Sequence, residues 1–582
     1  MKNISNQEIA RILVEIGEYL EMQGVAFKPR AYQKVAETIS SFEEEVGEIY
    51  KKGGVKALVV IPGIGASIAD HIEELLKTGK LFYYEELKKK TPVDLGTLTQ
   101  VEGLGPKKIK ALYEKLNVRD LKDLERAAKT GKIAKLEGFG GKSQEKILKG
   151  IAFVKRSSSR FLLGYIMPEV KEIERRLRGL KGVERAEVAG SVRRRRETVG
   201  DADILIVAES QDPVMNYFVS IPEVVNVAAK GETRSAIKLQ TGLNVDVRVV
   251  PRESYGAAMS YFTGSKDHNI ALRKLAIQKG WKLNEYGLFT QSAKGESRIA
   301  GKTEEEIYGA FGMDYIEPEL REMTGEIEAA KTHTLPKLIG YGDLKGDLQT
   351  QTNWTDGANS IEEMAAAAMK IGLEYIAITD HTKRLAMTHG LDTTRIRQQM
   401  KEIDNINLKL KTKNLKFRIL KGTECDILKD GSLDLPDEVL KELDVVGISV
   451  HSFFNLSEAE QTARIIRAMK NPHADILFHP TGRLIHKRPP YAVDMDAVIK
   501  TAKETGMILE IDAFPDRLDL KDEHIRKCVE SGVKMSIDSD AHSTLQFSVL
   551  EFGIAQARRG WATKENIINT RLVEAMLKLF KH

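Results

Sequence analysis

The spacing of apolar and polar positions divides the chain into three textures. The first is helical. In MKNISNQEIARILVEIGEYL, residues Ile9, Ile12, Leu13, Ile16 and Leu20 fall on one face of a helix. Three later segments repeat one unit: VVIPGIGASIADHIEELL from Val59, TQVEGLGPKKIKALYEKL from Thr99 and AKLEGFGGKSQEKILKGI from Ala134. Each reads as a helix end, a turn with Gly-x-Gly and a second helix with apolar spacing. From about residue 160 strand-like runs take over, in RAEVAGSV, DADILIVA and LNVDVRVV, interleaved with helices. The stretch IEPELREMTGEIEAAKTHTLPKLIG, about 316–340, is acidic, carries two prolines and reads as a linker. Beyond residue 341 short apolar strands alternate with helices: YIAITDH, KFRILKGTECD, DVVGISVHS, DILFHP, GMILEIDA and KMSIDSDAH. Most of these strands end in a polar residue. That is the layout of a parallel α/β barrel with its chemistry at the C-terminal strand ends.

Composition narrows the class. A chain of 582 residues, 42% apolar and 30% charged, reads as a soluble multidomain protein. No apolar run approaches the roughly 20 residues that span a bilayer. The amphipathic N-terminus does not read as a signal peptide, and Cys425 and Cys528 make neither a disulfide framework nor a zinc pattern. A cytoplasmic, monomeric protein with no membrane partner is expected. Charge is uneven, with a net +9 over residues 1–315 and −4 over 316–582. A basic half points toward nucleic acid, although scattered surface charge would look the same in isolation. The repeats sharpen this. Glycines let the backbone approach a phosphate, and the free N–H groups opening the second helix can hold it. This is the helix-hairpin-helix pattern of sequence-independent DNA binding. One such turn is compatible with a plain αα-hairpin. Three within about 80 residues, the second followed by Lys107, Lys108 and Lys110, argue against that. Gly63, Gly65, Gly103, Gly105 and Lys107 are the expected DNA contacts.

The sharpest local signal is AGSVRRRRETVGDADILIVA. Asp201 and Asp203 stand two apart in a strand, so both carboxylates point to one face. Asp246, in LNVDVRVV, lies on an expected neighbouring strand. Three convergent carboxylates repel one another unless they hold cations. Two divalent metals about 4 Å apart would balance them, activate a 3′ hydroxyl and stabilise a leaving pyrophosphate. The Gly190-Ser191 turn supplies an N–H and a hydroxyl for phosphate, and Arg193–Arg196 supply countercharge. The bland alternative is a solvated strand-edge Asp pair beside a basic surface run. Gly-Ser and the arginines directly upstream disfavour it.

GS-x-RR, then GD-x-D, D-x-R, YFTGSKDHNIALR and KLNEYGLF, in that order, resemble the family X DNA polymerases. The C-terminal region resembles the polymerase-and-histidinol-phosphatase (PHP) domain. Together they resemble the bacterial family X polymerases over essentially the whole chain. The resemblance implies that Asp201, Asp203 and Asp246 bind both catalytic metals, Mg2+ or Mn2+. It implies that Ser191 and Arg194 contact the incoming triphosphate, with backbone from Gly190. Tyr261, Phe262 and Gly264 would line the sugar side of the nucleotide pocket. Asn269 and Arg273 would sit in the minor groove of the nascent base pair; at i and i+4 of a helix they share a face. The residues alone leave Tyr261 and Phe262 readable as core aromatics. The implied partners are gapped or primer-template DNA and deoxynucleoside triphosphates.

The expected fold is multidomain α/β. A helical lyase-like domain with the first hairpin covers residues 1–90, and fingers with further hairpin turns cover 91–155. A nucleotidyltransferase palm spans 156–250 and a thumb 251–315. After the linker at 316–340, a PHP (β/α)7-type barrel occupies 341–582.

Two departures stand out. In the resembling proteins the helix after the first hairpin carries a lysine that forms a Schiff base with an abasic sugar. Here Ser67 and His71 hold the two lysine positions, and histidine makes no stable Schiff base. Lys28, Tyr32 and Lys34 still match a 5′-phosphate pocket. In the barrel, the resemblance implies nine ligand positions for three metal ions. Seven match: Asp356, His381, Glu424, His451, His479, Asp540 and His542. The other two are Gln349 and Gln351, whose neutral amides are poor ligands for zinc or manganese. A partly depleted Mn2+ or Zn2+ site with weakened or absent 3′–5′ exonuclease chemistry is expected. Two rival readings are a PHP-dependent nuclease with a DNA-holding body, and a non-catalytic protein binding DNA ends. The glutamines argue against the first and the intact triad against the second.

Overall fold

The computed structural model describes residues 4, 6–40, 45–61, 63–101, 103–157, 160–292, 295–384 and 388–580. The amphipathic N-terminal segment forms the helix Asn6–Met22, and Ile9, Ile12, Leu13, Ile16 and Leu20 are all buried. It packs against the helix Lys28–Ser40 and shares one core with the hairpin helices as far as Val154. The first hairpin joins Val46–Val59 to Ala66–Thr78, and the second joins Leu95–Leu98 to Pro106–Leu116. Both turns repeat one backbone path. Gly63 and Gly103 have φ of +84 and +81°, which side-chain-bearing residues avoid, while Gly65 and Gly105 open the second helices with no side-chain cap. Pro62 and Glu102, within these turns, lie outside the described residues.

The strand-like runs after residue 160 build a five-stranded mixed sheet. Its spatial order is Val183–Val188, Asp201–Ala208, Asn244–Val249, Arg234–Leu239, Val224–Lys230. The helices Leu163–Arg178 and Gln211–Val219 cover one face with Val170, Ile173, Leu177, Val214 and Phe218. On the other face, Leu205 and Val207 pack against Tyr255, Ala258 and Met259 of the helix Tyr255–Thr263. A three-stranded antiparallel sheet follows, Trp281–Asn284, Gly287–Ser292 and Gly295–Ala300.

Residues 316–340 are packed rather than extended through solvent. Ile316, Leu320 and Ala330 join a core with Leu272, Tyr308 and Trp561. The acidity that suggested a linker is neutralised internally: Glu319 pairs with Arg558, Glu322 with Arg194, and Glu326 with His268.

Seven parallel strands then run in sequence order from Gly346–Thr350 to Met535–Asp538, as the alternation beyond residue 341 predicts. A bridge between Thr350 and Ala541 brings the first and last strands together, so the barrel is nearly closed. The barrel touches the rest of the chain at specific polar contacts. Arg559 donates to the Arg194 carbonyl at 3.0 Å, Arg483 pairs with Glu197 at 2.8 Å and Arg195 with Glu551 at 3.3 Å. Lys34 donates to the Gly357 carbonyl at 3.2 Å, and Lys146 to Asn455 at 2.6 Å. Among the described residues, no helix is long and apolar enough to cross a membrane.

Candidate active sites of palm and barrel

The palm site is set by strand register. Asp201–Ala208 and Asn244–Val249 pair in parallel, with Asp203 opposite Asp246 and Asp201 opposite Asn244. The two-residue period then puts Asp201, Asp203 and Asp246 on one face. Burial first, then the Asp201 and Asp246 charges, push the Asp203 carboxyl up to about 7, with Arg248 and Arg234 pulling the other way. An acid held that high by burial and by its neighbours' charge is what a divalent cation would relieve, so these residues fit a metal site. Arg234 already compensates one of them, with Nε 2.8 Å and Nη2 2.7 Å from Asp246. The glycine of the phosphate turn has a steric reason. Gly190 sits at φ +65°, and a Cβ there would lie 2.6 Å from Asp203 Oδ2.

Arg194 is held in place. Its Nε meets Glu322 at 3.0 Å, and its guanidinium also donates to the Thr263 carbonyl. Neighbouring Arg193 pairs at 2.6 Å with Glu304. Burial would raise the Glu304 carboxyl, but Arg321 and Arg193 hold it down at about 2. The helix end carrying Tyr261 and Phe262 faces this group. The two rings meet edge to face at 5.1 Å, and Arg248 lies 4.5 Å over Phe262. Tyr261 is exposed, so it is no core aromatic, while Phe262 is half-buried and packs against the core around Leu205 and Met259. Gly264, at φ +74°, passes close to Arg194; a Cβ would stand 3.1 Å from Nη1. Asn269 donates to the Tyr261 carbonyl at 2.6 Å, and Arg273 Nε lies 3.4 Å from the Asn269 carbonyl. Sequence reasoning missed Glu322 and Arg559, which fasten Arg194 from the supposed linker and from the barrel. A partner 128 or more positions away leaves no local signature.

In the barrel the seven expected ligands gather unevenly. Asp356, His381 and His542 form one group that could hold a metal ion, and His381, Glu424 and His451 form a second. His381 and His542 lie 3.7 and 3.8 Å from Asp356, and His381 and His451 lie 3.2 and 3.1 Å from Glu424. Asp356 Oδ1 is buried without a hydrogen-bond partner, so this donor set fits a cation. Burial favours neutral His451, but Glu424 and Asp426 push it up to about 9. His479 reaches Glu424 at 2.8 Å, outside both groups. Asp540 is in neither group; its carboxylate lies 3.9 Å from His542 and 3.5 Å from Arg517. His479 and Asp540 have φ of +29 and +51°, strained backbone that the fold holds at this site. Gln351 donates to Glu424 at 2.9 Å, and the Gln349 amide, oriented to satisfy both its ends, donates to Glu510.

The hairpin glycines Gly63, Gly65, Gly103 and Gly105 are exposed, as is Lys107. Gly103, Gly105, Lys107 and Lys108 share a cleft of 450 Å³ with Lys487 and Arg488 of the barrel. The expected 5′-phosphate trio is divided. Lys28 is exposed, and Lys34 meets the barrel at Gly357. Tyr32 is buried, with its hydroxyl 3.0 Å from His71 Nδ1. The His71 ring stacks between Tyr32 and Tyr83, and burial lowers its pKa.

Sequence models of four domain families match in chain order. They are a helix-hairpin-helix domain over residues 4–81, a SAM-like helix-hairpin-helix tandem over 95–152, a DNA polymerase beta thumb over 258–322 and a PHP domain over 347–513. The chain belongs to the family X DNA polymerases, in the arrangement that ends in a PHP barrel. It is 39% identical over 578 residues to the DNA polymerase/3′-5′ exonuclease PolX of Bacillus subtilis (strain 168), spanning 98% of this chain and 99% of that protein. DNA polymerase lambda of Arabidopsis thaliana is 26% identical over 55% of this chain and 62% of its own length. A probable phosphatase of Thermoanaerobacter sp. (strain X514) is 31% identical over 36% of this chain and 84% of its own length.

Proposed function

We propose that this DNA polymerase adds deoxynucleotides to a primer 3′ end at Asp201, Asp203 and Asp246, filling short gaps during DNA repair in the cytoplasm. The observation that carries the reading is Asp203, set opposite Asp246, crowded to a pKa of about 7 and backed by the Gly190 turn. Mg2+ or Mn2+ held by the three carboxylates would acidify the 3′ hydroxyl and neutralise the triphosphate. The chain does the positioning. The Ser191 hydroxyl and the Gly190 N–H take the triphosphate oxygens, and Arg194 lends countercharge. Tyr261, Phe262 and Gly264 bound the sugar, while Asn269 and Arg273 lie along the minor groove of the new pair. Exposed hairpin glycines and Lys107 follow the DNA backbone without reading sequence. The protein acts as a monomer.

The barrel retains a reduced 3′–5′ exonuclease. Asp356, His381, Glu424, His451 and His542 would hold Mn2+ or Zn2+, with His479 against Glu424 and Asp540 against Arg517 outside the two groups. Primer extension beside primer degradation on one gapped duplex tests both halves. Asp203→Ala loses extension by orders of magnitude and keeps DNA binding; near-normal extension refutes the palm assignment. His451→Ala abolishes whatever degradation the wild type shows.

A further inference from the structure

One corner of the barrel site is filled by the chain itself. Asp512 is fully buried and Asp540 nearly so, and both face the Arg517 guanidinium, with Nε 3.3 Å from Asp512 Oδ2 and 3.5 Å from Asp540 Oδ2. A guanidinium keeps its charge even where it is buried. Buried carboxylates need a cation, and here a tethered one is present. Among the described residues, the two groups able to hold an ion leave Asp540 out, although its carboxylate comes within 3.9 Å of His542. The side chains that would otherwise favour an ion nearby are neutral amides. Gln351 donates to Glu424 and Gln349 to Glu510, occupying acceptor lone pairs without repelling a guanidinium. A divalent ion placed against Asp512 and Asp540 would stand beside a like charge.

We propose that Arg517 is the built-in cation of this corner, closing it to divalent metal and leaving the barrel two ion positions that share His381. The proposal rests on the reading of the barrel as a metal site and deepens it. The two glutamines and Arg517 form one unit: restoring imidazoles at positions 349 and 351 adds no ion while the guanidinium stays. Nor does a conservative change at 517 open the corner, because any fixed positive charge serves.

The test is the manganese content of the full-length protein, stripped with chelator, re-equilibrated with Mn2+ and separated from free ion. The variants are Gln349→His with Gln351→His, the same pair with Arg517→Lys, and the same pair with Arg517→Ala. All keep the palm triad, so its contribution cancels. The imidazole pair and its Arg517→Lys version are expected to match the wild type, and the Arg517→Ala version to gain one Mn2+ per chain. A gain by the imidazole pair with Arg517 intact overturns the proposal. So does an Arg517→Ala version that extends primers normally yet gains nothing. Should that version fail to fold, the imidazole pair and its lysine version decide alone: no gain supports the proposal and a gain overturns it. His451→Ala separates the two levels. If it leaves the wild-type count unchanged, the metal-site reading itself fails; primer extension in the same preparations reports on the palm independently.

Discussion

Arg559→Ala strikes the junction of barrel and palm. Arg559 is almost fully buried and donates to Asp522, to Glu322 at 3.2 Å and to the Arg194 carbonyl at 3.0 Å. Removing one partner of a buried ion pair costs about 3–5 kcal/mol. Here the loss is smaller. Glu322 keeps Arg194 at 3.0 Å, and the Glu322 and Asp522 side chains remain 18% and 23% exposed. About 2 kcal/mol is expected, which lowers the barrel's melting midpoint by roughly 4–8 °C for a domain of this size. Against the opposing pull of burial, Arg559 with its neighbouring cations holds both carboxyls below the usual range. A depressed folded pKa contributes stability above the unfolded value and loses it as pH falls through the folded one. The deficit of Arg559→Ala is therefore full at neutral pH and shrinks below about pH 4. Arg559 also positions Arg194, so KM for the nucleotide rises several-fold while kcat moves little. Arg559→Lys, which keeps the charge and loses the fork, falls between. Calorimetry across pH and steady-state single-nucleotide insertion are the assays. A variant with wild-type melting and wild-type KM would falsify the reasoning.

Other outcomes follow from the same structure. With Asp203 at about 7, protons compete with metal on its carboxylate, so the Mg2+ concentration for half-maximal extension falls by up to about tenfold between roughly pH 6 and 8 and then levels off; a flat profile counts against the crowded triad. Borohydride should trap no efficient adduct on an incised abasic duplex, because the candidate lyase position is a half-buried His71 stacked between tyrosines; a strong adduct insensitive to changing Lys77 and Lys80 means the lyase chemistry lies elsewhere. Lys107→Ala with Lys108→Ala should weaken gapped-DNA binding alike across sequences and lower the salt slope by about two; sequence-dependent losses would contradict a backbone-reading hairpin. Glu322→Ala frees Arg194 from its carboxylate and should raise nucleotide KM without disturbing the apo fold of the palm sheet; an unchanged KM would show that the contact is incidental.

What could be read from the sequence was whatever depends on period and local geometry. The two-residue spacing of Asp201 and Asp203 fixes their common face wherever the strand lies. The Gly-x-Gly turns announce hairpins because their first glycines need positive φ and their second glycines open a helix without a cap. The barrel was legible because each strand is an apolar run ended by a polar residue. Charge compensation was not legible, because it is decided between distant segments. Glu319 and Glu322 looked like linker acidity only because their partners, Arg558 and Arg194, lie 239 and 128 positions away. Lys34 looked like a phosphate ligand, yet its amine meets a carbonyl 323 positions on. Arg517, an ordinary arginine in DAFPDRLDL, becomes informative only when Asp540 is folded beside it. The glutamines at 349 and 351 then change meaning. Read alone they are missing ligands; donating to Glu510 and Glu424, they are neutral donors suited to a site whose third positive charge is carried by the protein.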